Sequence, residues 1–155
     1  MKYEIIERNA FQVVGIKENF SCATKENDAV IPKLWSKANN DGTIDSLAQL
    51  NNGQNKGILG ITDTHQEVEN VMDYWIATEY NGDVPDGFSS LEITASKWVV
   101  FEVQGPIPEA IVSTWKQIFS EWFPSHRYEH AEIASLEEYM GAYPNPSCKI
   151  WVPIK

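Results

Sequence analysis

The chain reads as an α+β domain built from two βαββ units related by a pseudo-two-fold axis, with an antiparallel-rich sheet, two main helices and a ligand cleft at the junction. Three observations predict it. Each half shows the same order of strand, helix, strand and strand patterns. Landmarks recur in that order: Val13 and Val14 answer Val99 and Val100, Trp35 answers Trp115, and Trp75 answers Trp151. Between the halves stands the turn-rich segment NGDVPDG at residues 81–87, which reads as a loop within one domain. The units occupy about residues 1–80 and 88–155 of a 155-residue chain, long enough to bury a core without covalent staples. Identity between the halves is thin, so the repeat rests on order more than on letters.

In the first unit, residues 3–6 and 11–18 (FQVVGIKE) are rich in Val, Ile and aromatics and predict strands, with a bend at residues 8–10. Residues 28–39 predict a helix, because Ile31, Leu34, Trp35 and Ala38 fall on one face. Pro32 suits only a first turn, which places the regular helix from about Val30. Ile44, Leu47 and Leu50 predict a short second helix before the polar loop NNGQNKG. Residues 57–62 and 71–80 predict two more strands. In the second unit, residues 91–94 and 97–104 read as strand. Residues 108–123 then predict the strongest helix, its apolar face made of Ile111, Trp115, Ile118, Phe119 and Trp122, with Pro124 ending it. Strands at residues 132–139 and 149–154 close the chain.

Acidic residues outnumber basic ones by 22 to 12, a net charge of −10. That balance argues against nucleic-acid binding, which depends on Lys and Arg against phosphate; it mildly favours cationic partners, although on charge alone solubility is the preferred reading. The start MKYEIIERNAF lacks the apolar run of a signal peptide, and no stretch approaches the roughly 20 apolar residues of a membrane span. A cytoplasmic protein is expected, with Cys22 and Cys148 reduced. Six Trp, six Tyr and six Phe are expected to be divided between filling a core and lining a ligand cavity. No phosphate-binding loop, catalytic Ser-His-Asp grouping or cysteine nucleophile context is visible, and no cofactor is implied. His126 and His130 are four residues apart, but the stretch follows Pro124 and lacks helical periodicity, so no metal site is expected; His65 has no partner.

The stretch at residues 131–154, AEIASLEEYMGAYPNPSCKIWVPI, sets two glutamates in a strand. Alternation puts Ser135, Glu137 and Tyr139 on one face and Leu136 and Glu138 on the other. One carboxylate therefore opposes its neighbour, and alternation alone leaves open which of them meets a pocket.

The second half, SKWVVFEVQGPIPEAIVSTWKQIFSEWF followed by SLEEY and KIWVPI, resembles the GyrI-like family, which includes the AraC-type effector-binding domains of multidrug-responsive transcription regulators. The resemblance is carried by an aromatic-Val-Val-Phe strand ending at Gly105, a Trp-bearing helix, the hydrophobic-Glu-x-Tyr strand of Leu136 and Tyr139, and the aromatic-hydrophobic-Pro-hydrophobic ending from Trp151. It covers about the last 65 residues well and the first half more loosely, through FQVVGI and IPKLW. It implies a glutamate at the bottom of an aromatic pocket between the repeats, meeting lipophilic, cationic, drug-like ligands. Carried over, that residue is Glu137; the doubled glutamate leaves a slip of one residue that would place Glu138 inside.

The resemblance also implies stand-alone members that hydrolyse cyclopropane-bearing electrophiles or act on DNA gyrase. For hydrolysis, Glu137 and Tyr139 are the catalytic candidates, since a desolvated carboxyl has the raised pKa of a general acid or base. The two repeats take up the whole length, which leaves no room for a helix-turn-helix. The expected ligand-binding set is Glu137, Trp75, Trp35, Tyr139 and Trp151. Tyr74 and Trp75 are adjacent on one strand and face opposite sides, one under a helix and the other toward a pocket; Trp75 is placed in the pocket because it answers Trp151, the alternative being a tryptophan of the sheet core, and Trp115 and Trp122 are assigned to the core.

Overall fold

Runs rich in Val, Ile and aromatic residues form the strands, and segments with apolar residues three and four apart form the helices that cover one face. The computed structural model describes residues 2–21, 27–64, 71–105, 109–131, 133–140 and 147–155, the side chains of 20, 21, 27–30 and 64 excepted. Within them the first half contains β1 (Tyr3–Arg8), β2 (Phe11–Ser21), α1 (Asn27–Asn40), α2 (Thr43–Leu50), β3 (Ile58–Thr64) and β4 (Val71–Glu79). The second contains β5 (Ser89–Ile93), β6 (Ser96–Glu102), α3 (Glu109–Gln117), β7 (Ser135–Met140) and β8 (Ser147–Ile154). The eight strands form one antiparallel sheet in the order β1-β6-β8-β7-β3-β4-β2-β5. The α+β class is as expected.

That order is a palindrome about the β7/β3 pair, as two copies of one unit would produce, with β1 and β5 exchanged to opposite edges. The register agrees: Ile61 faces Trp75 on one side of the centre, and Leu136 faces Trp151 on the other. Connectivity also bends the sheet. β1 and β2 are joined by Asn9 and Ala10 alone, a span of at most about 11 Å from Arg8 to Phe11. Six strand spacings separate them in the sheet order, which would be about 29 Å if it were flat. The link between β5 and β6 has the same geometry. The sheet must therefore roll until its ends approach. Val13, Ile61, Trp75, Trp98, Leu136 and Trp151 are enclosed on the inner face.

Both helical segments lie on the outer face. Leu34, Ala38 and Leu47 of α1 and α2 pack on Tyr74 and Ile76 of β4. Ile111, Ile118 and Trp122 pack on Val99, Phe101, Ile150 and Val152. Each fully buried aliphatic side chain contributes about 1.5–3 kcal/mol, so the two clusters fix the helices on their own halves of the sheet. The central strands β3 and β7 lie between them. At the rolled edge, Arg8 of β1 meets Glu79 of β4 through paired N–H···O bonds of 3.1 and 3.0 Å, with side chains 8% and 9% exposed. The Arg8 guanidinium lies 3.8 Å from the Phe11 ring centroid and also donates to Asn55. This ion pair holds the Glu79 carboxyl below its usual range in spite of burial.

Three local expectations change. α1 begins at Asn27, ahead of Val30, with Pro32 inside it. The segment expected as one helix over residues 108–123 is α-helical to Gln117, π-helical over Ile118–Trp122 and closes with a turn at Phe123–Ser125, past Pro124; Pro108 lies outside the described residues. The wider π turn keeps Ile118 and Trp122 inward and turns Phe119 out to 53% exposure, so Phe119 is not a core residue.

Candidate ligand site at the sheet centre

Glu137 stands on β7, directly between Gly60 of β3 and Ile150 of β8. Its side chain shares the outer face with Tyr139, in the gap between α1 and α3. Trp115 of α3 donates its indole N–H to Glu137 Oε2 at 3.1 Å, and the Tyr139 hydroxyl donates to Oε1 at 3.0 Å. From the other half, Trp35 of α1 meets the Tyr139 ring edge-to-face at 5.1 Å and donates its N–H to the Tyr74 hydroxyl at 2.9 Å. Glu137, Tyr139, Trp35 and Trp115 are all partly exposed, whereas Tyr74 is buried. The site is thus reachable from solvent and closed beneath.

Gly60 makes this floor possible. A Cβ there would lie 2.4 Å from the Tyr74 hydroxyl and 3.4 Å from the Trp35 ring. The missing side chain lets the Tyr74 phenol cross over β3 toward Glu137, which is the close approach that a glycine inside a strand signals.

Charge is scarce around the carboxylate. Among the described residues no Lys, Arg or His lies within ion-pair distance of Glu137. Burial pushes its carboxyl above the usual range, against the opposing pull of the Trp115 N–H and the Tyr139 O–H. Burial and then the charge of Glu137 push the Tyr74 and Tyr139 phenols up as well. The Cys148 thiol, opposite Tyr139 on β8, is pushed up to about 12 by burial and by the two glutamates. Cys148 is a free, buried thiol, and Cys22 lies outside the described residues. The arrangement is a desolvated carboxylate ringed by hydroxyl, indole and aromatic faces, able to hold a proton or to receive a cation.

Of the five ligand-binding residues expected, the structure brings Glu137, Trp35 and Tyr139 together. Trp75 and Trp151 lie on the inner face, packed in the core with Leu136 and Trp98, and so do not meet Glu137. They do answer each other, but at a parity opposite to Glu137: Leu136, not Glu137, pairs with Trp151. Glu138 takes the inner face too, where it is 5% exposed and accepts the Trp151 N–H at 3.0 Å and the Gly57 amide at 3.2 Å. Trp115, assigned to the core, packs against the outer-face cluster and also donates to the carboxylate. Of Tyr74 and Trp75, which alternation sets on opposite faces, it is Tyr74 that meets the site; Gly60 was not anticipated, although it interrupts a strand. His126 contacts Tyr3 and the Trp122 carbonyl, and His130 approaches Ser135; His65 lies outside the described residues.

An open cleft of about 820 Å³ lies elsewhere, at the rolled edge among Arg8, Phe11, Gln12, Asn52, Glu79 and Glu92. It follows from the closure of the sheet around the Arg8–Glu79 pair.

Comparison with known proteins agrees with this fold. The chain is 28% identical over 130 residues to the putative transcriptional regulator protein YobU of Bacillus subtilis strain 168, a match covering 81% of this chain and 79% of that one. A putative transcription regulation protein from Staphylococcus aureus MU50 has the same fold, with a TM-score of 0.85 and 24% identity across 100% of this chain and 99% of that one. SAV2435, solved bound to tetraphenylphosphonium, superposes with a TM-score of 0.86 and 24% identity over 100% of this chain and 94% of that one. No helix among the described residues is long and apolar enough to cross a membrane. The match of residues 1–155 to the GyrI-like small molecule binding domain establishes that the chain belongs to that family.

Proposed function

We propose that the protein binds flat or globular lipophilic cations beside Glu137 and so senses or sequesters them in the cytoplasm. The carrying observation is the partly buried carboxylate that no cation neutralises among the described residues, faced by Trp35, Trp115 and Tyr139. A desolvated carboxylate is costly to ionise alone. An aromatic cation restores charge balance, and it gains further from the ring faces around it. The state of SAV2435 with tetraphenylphosphonium supports this ligand class. Trp35 and Tyr139 are the walls of this reading, Trp115 the donor that orients the carboxylate, and Trp75 and Trp151 hold the sheet beneath. The test is a tryptophan-fluorescence titration with tetraphenylphosphonium. Glu137→Gln, which keeps the shape and removes the charge, is expected to bind at least about tenfold more weakly, the scale of a charge contact worth about 1.4 kcal/mol. Equal affinity in the two proteins would remove the carboxylate from the account.

A second reading is hydrolysis of a strained electrophile such as a cyclopropane-bearing compound. It is favoured by the 3.0 Å contact of Tyr139 with a carboxylate of raised proton affinity, a pair suited to proton transfer. Mass analysis after incubating such a compound with excess protein separates turnover from binding; recovery of unchanged compound excludes this reading.

A further inference from the structure

Three of the four aromatic N–H and O–H donors around the carboxylate are spent. Trp115 gives its indole N–H and Tyr139 its hydroxyl proton to the two oxygens of Glu137, and Trp35 gives its N–H to the Tyr74 oxygen at 2.9 Å. An indole nitrogen only donates, so the Tyr74 hydroxyl is the acceptor of that bond and its own proton is left over. Among the described residues no acceptor lies within hydrogen-bond distance of that proton's oxygen. Tyr74 is 3% exposed. A phenol buried this far ordinarily finds an acceptor as well as a donor, because an unmatched O–H away from water is costly to keep.

The unspent hydroxyl lies where a ligand would rest. It is 2.4 Å from the point a Cβ on Gly60 would occupy, and Gly60 is the direct partner of Glu137 across β3 and β7. Cβ positions of such a pair are about 4.5–5.5 Å apart, which sets the phenol oxygen about one strand spacing from the Glu137 stem. Burial and then the charge of Glu137 raise the Tyr74 pKa, so the phenol keeps its proton at any ordinary pH. We infer that Tyr74 is a specificity-determining donor of the site, selecting lipophilic cations that also carry a carbonyl-type oxygen a short reach from the charged centre. The carboxylate takes the charge and the free O–H takes the oxygen. A cation with a methylene group at that point leaves the donor unmatched and is held less tightly. The inference rests on the reading of Glu137 as a cation receptor.

The experiment uses two triphenylphosphonium cations of the same shape. One bears a short alkyl arm ending in a methyl ketone; in the other the ketone oxygen is replaced by a methylene group. Both are titrated by calorimetry into wild type and Tyr74→Phe, and the ratio of the two affinities is compared between the proteins. Any general damage to the site in the variant, such as a turn of the partly exposed Trp35, weakens both cations and cancels in the ratio. Tyr74→Phe is expected to lower the ratio in favour of the ketone by about fivefold, the worth of one neutral hydrogen bond, with the methylene cation binding as before. An unchanged ratio, or an equal loss for both cations, overturns the donor role and leaves the Glu137 reading intact. Failure of wild type to bind either cation overturns the Glu137 reading and this inference with it. Infrared spectra of the ketone bound to wild type need no variant: a carbonyl stretch shifted to the hydrogen-bonded position is expected, and a stretch at the position seen in apolar solvent overturns the inference.

Discussion

Glu137 and Glu138 are neighbours on one strand, each accepting two protein donors, one of them an indole N–H. Their surroundings differ. Glu138 is sealed in the inner face and tied to a backbone amide and to Trp151, both fixed by the sheet. Glu137 sits in the gap between helices, and its donors are side chains from α3 and from its own strand, at a partly exposed position. The lesson is that hydrogen bonding alone does not separate a sealed carboxylate from one that a ligand could reach. What separates them is whether a ligand can reach the group and whether its donors can yield.

The largest effect is expected from breaking the inner partner. Glu138→Ala leaves the Trp151 N–H and the Gly57 amide without acceptors in a closed core, at a cost of about 3–5 kcal/mol. Urea unfolding of this variant against wild type measures it, and a loss under about 1 kcal/mol would show that water or rearrangement replaces the bonds.

Next in size is Gly60→Ala. The added methyl meets the Tyr74 hydroxyl at 2.4 Å and forces the phenol off the floor of the site, at about 1–3 kcal/mol. Tetraphenylphosphonium affinity should fall with stability here, whereas Glu138→Ala should spare affinity in whatever protein stays folded. Similar affinity in Gly60→Ala and wild type would show that Tyr74 does not shape the site.

The pH dependence of Glu137 is smaller but has opposite signs for folding and for binding. Its folded pKa is raised, so its contribution to stability is fully present below the ordinary glutamate value of 4.5 and is lost as pH rises through the raised value. Glu137→Gln should therefore melt higher than wild type at neutral pH, with the gap closing in acid. Cation affinity of wild type should rise over the same window, because binding selects the ionised form, while that of the glutamine variant stays flat. Melting curves and titrations across pH 4 to 8 check both, and a wild type that melts above the variant at pH 8 would contradict the raised pKa.

The smallest effect sharpens the comparison of donors. Trp115→Phe keeps the ring and removes one N–H from Glu137, which should push the carboxyl higher still and move the affinity profile to higher pH with little change in melting. Trp151→Phe should instead cost about 1–2 kcal/mol of stability and leave the profile in place.

Much of the fold was legible. The helical spacing of residues 28–39, the aromatic-rich run at 71–80, the turn at 81–87 and the matched tryptophans predict the elements, their order and a junction between halves, because spacing and residue type record how each segment is buried. At the site, alternation predicts that Glu137 and Glu138 oppose each other and that Tyr139 accompanies Glu137. It also separates Tyr74 from Trp75. It does not relate β4 to β7, which are far apart in sequence, so choosing Trp75 rather than Tyr74 required a register that only strand pairing sets. Trp115 reads as core for a similar reason: a helical wheel marks its apolar side but not the polar group of another strand that lies beneath it. The outward turn of Phe119 depends on a π turn that no propensity announces.

By itself, then, the sequence determined an α+β chain of two equivalent halves, an aromatic-rich and acidic composition, and a glutamate pair split across one strand, since all of these follow from local spacing. The tertiary structure decided which glutamate meets the gap between the helices, which aromatics surround it, and that Gly60 opens the floor. Those outcomes depend on which strands pair and in what register as the sheet rolls closed, and burial against distant segments is a property of the folded chain alone.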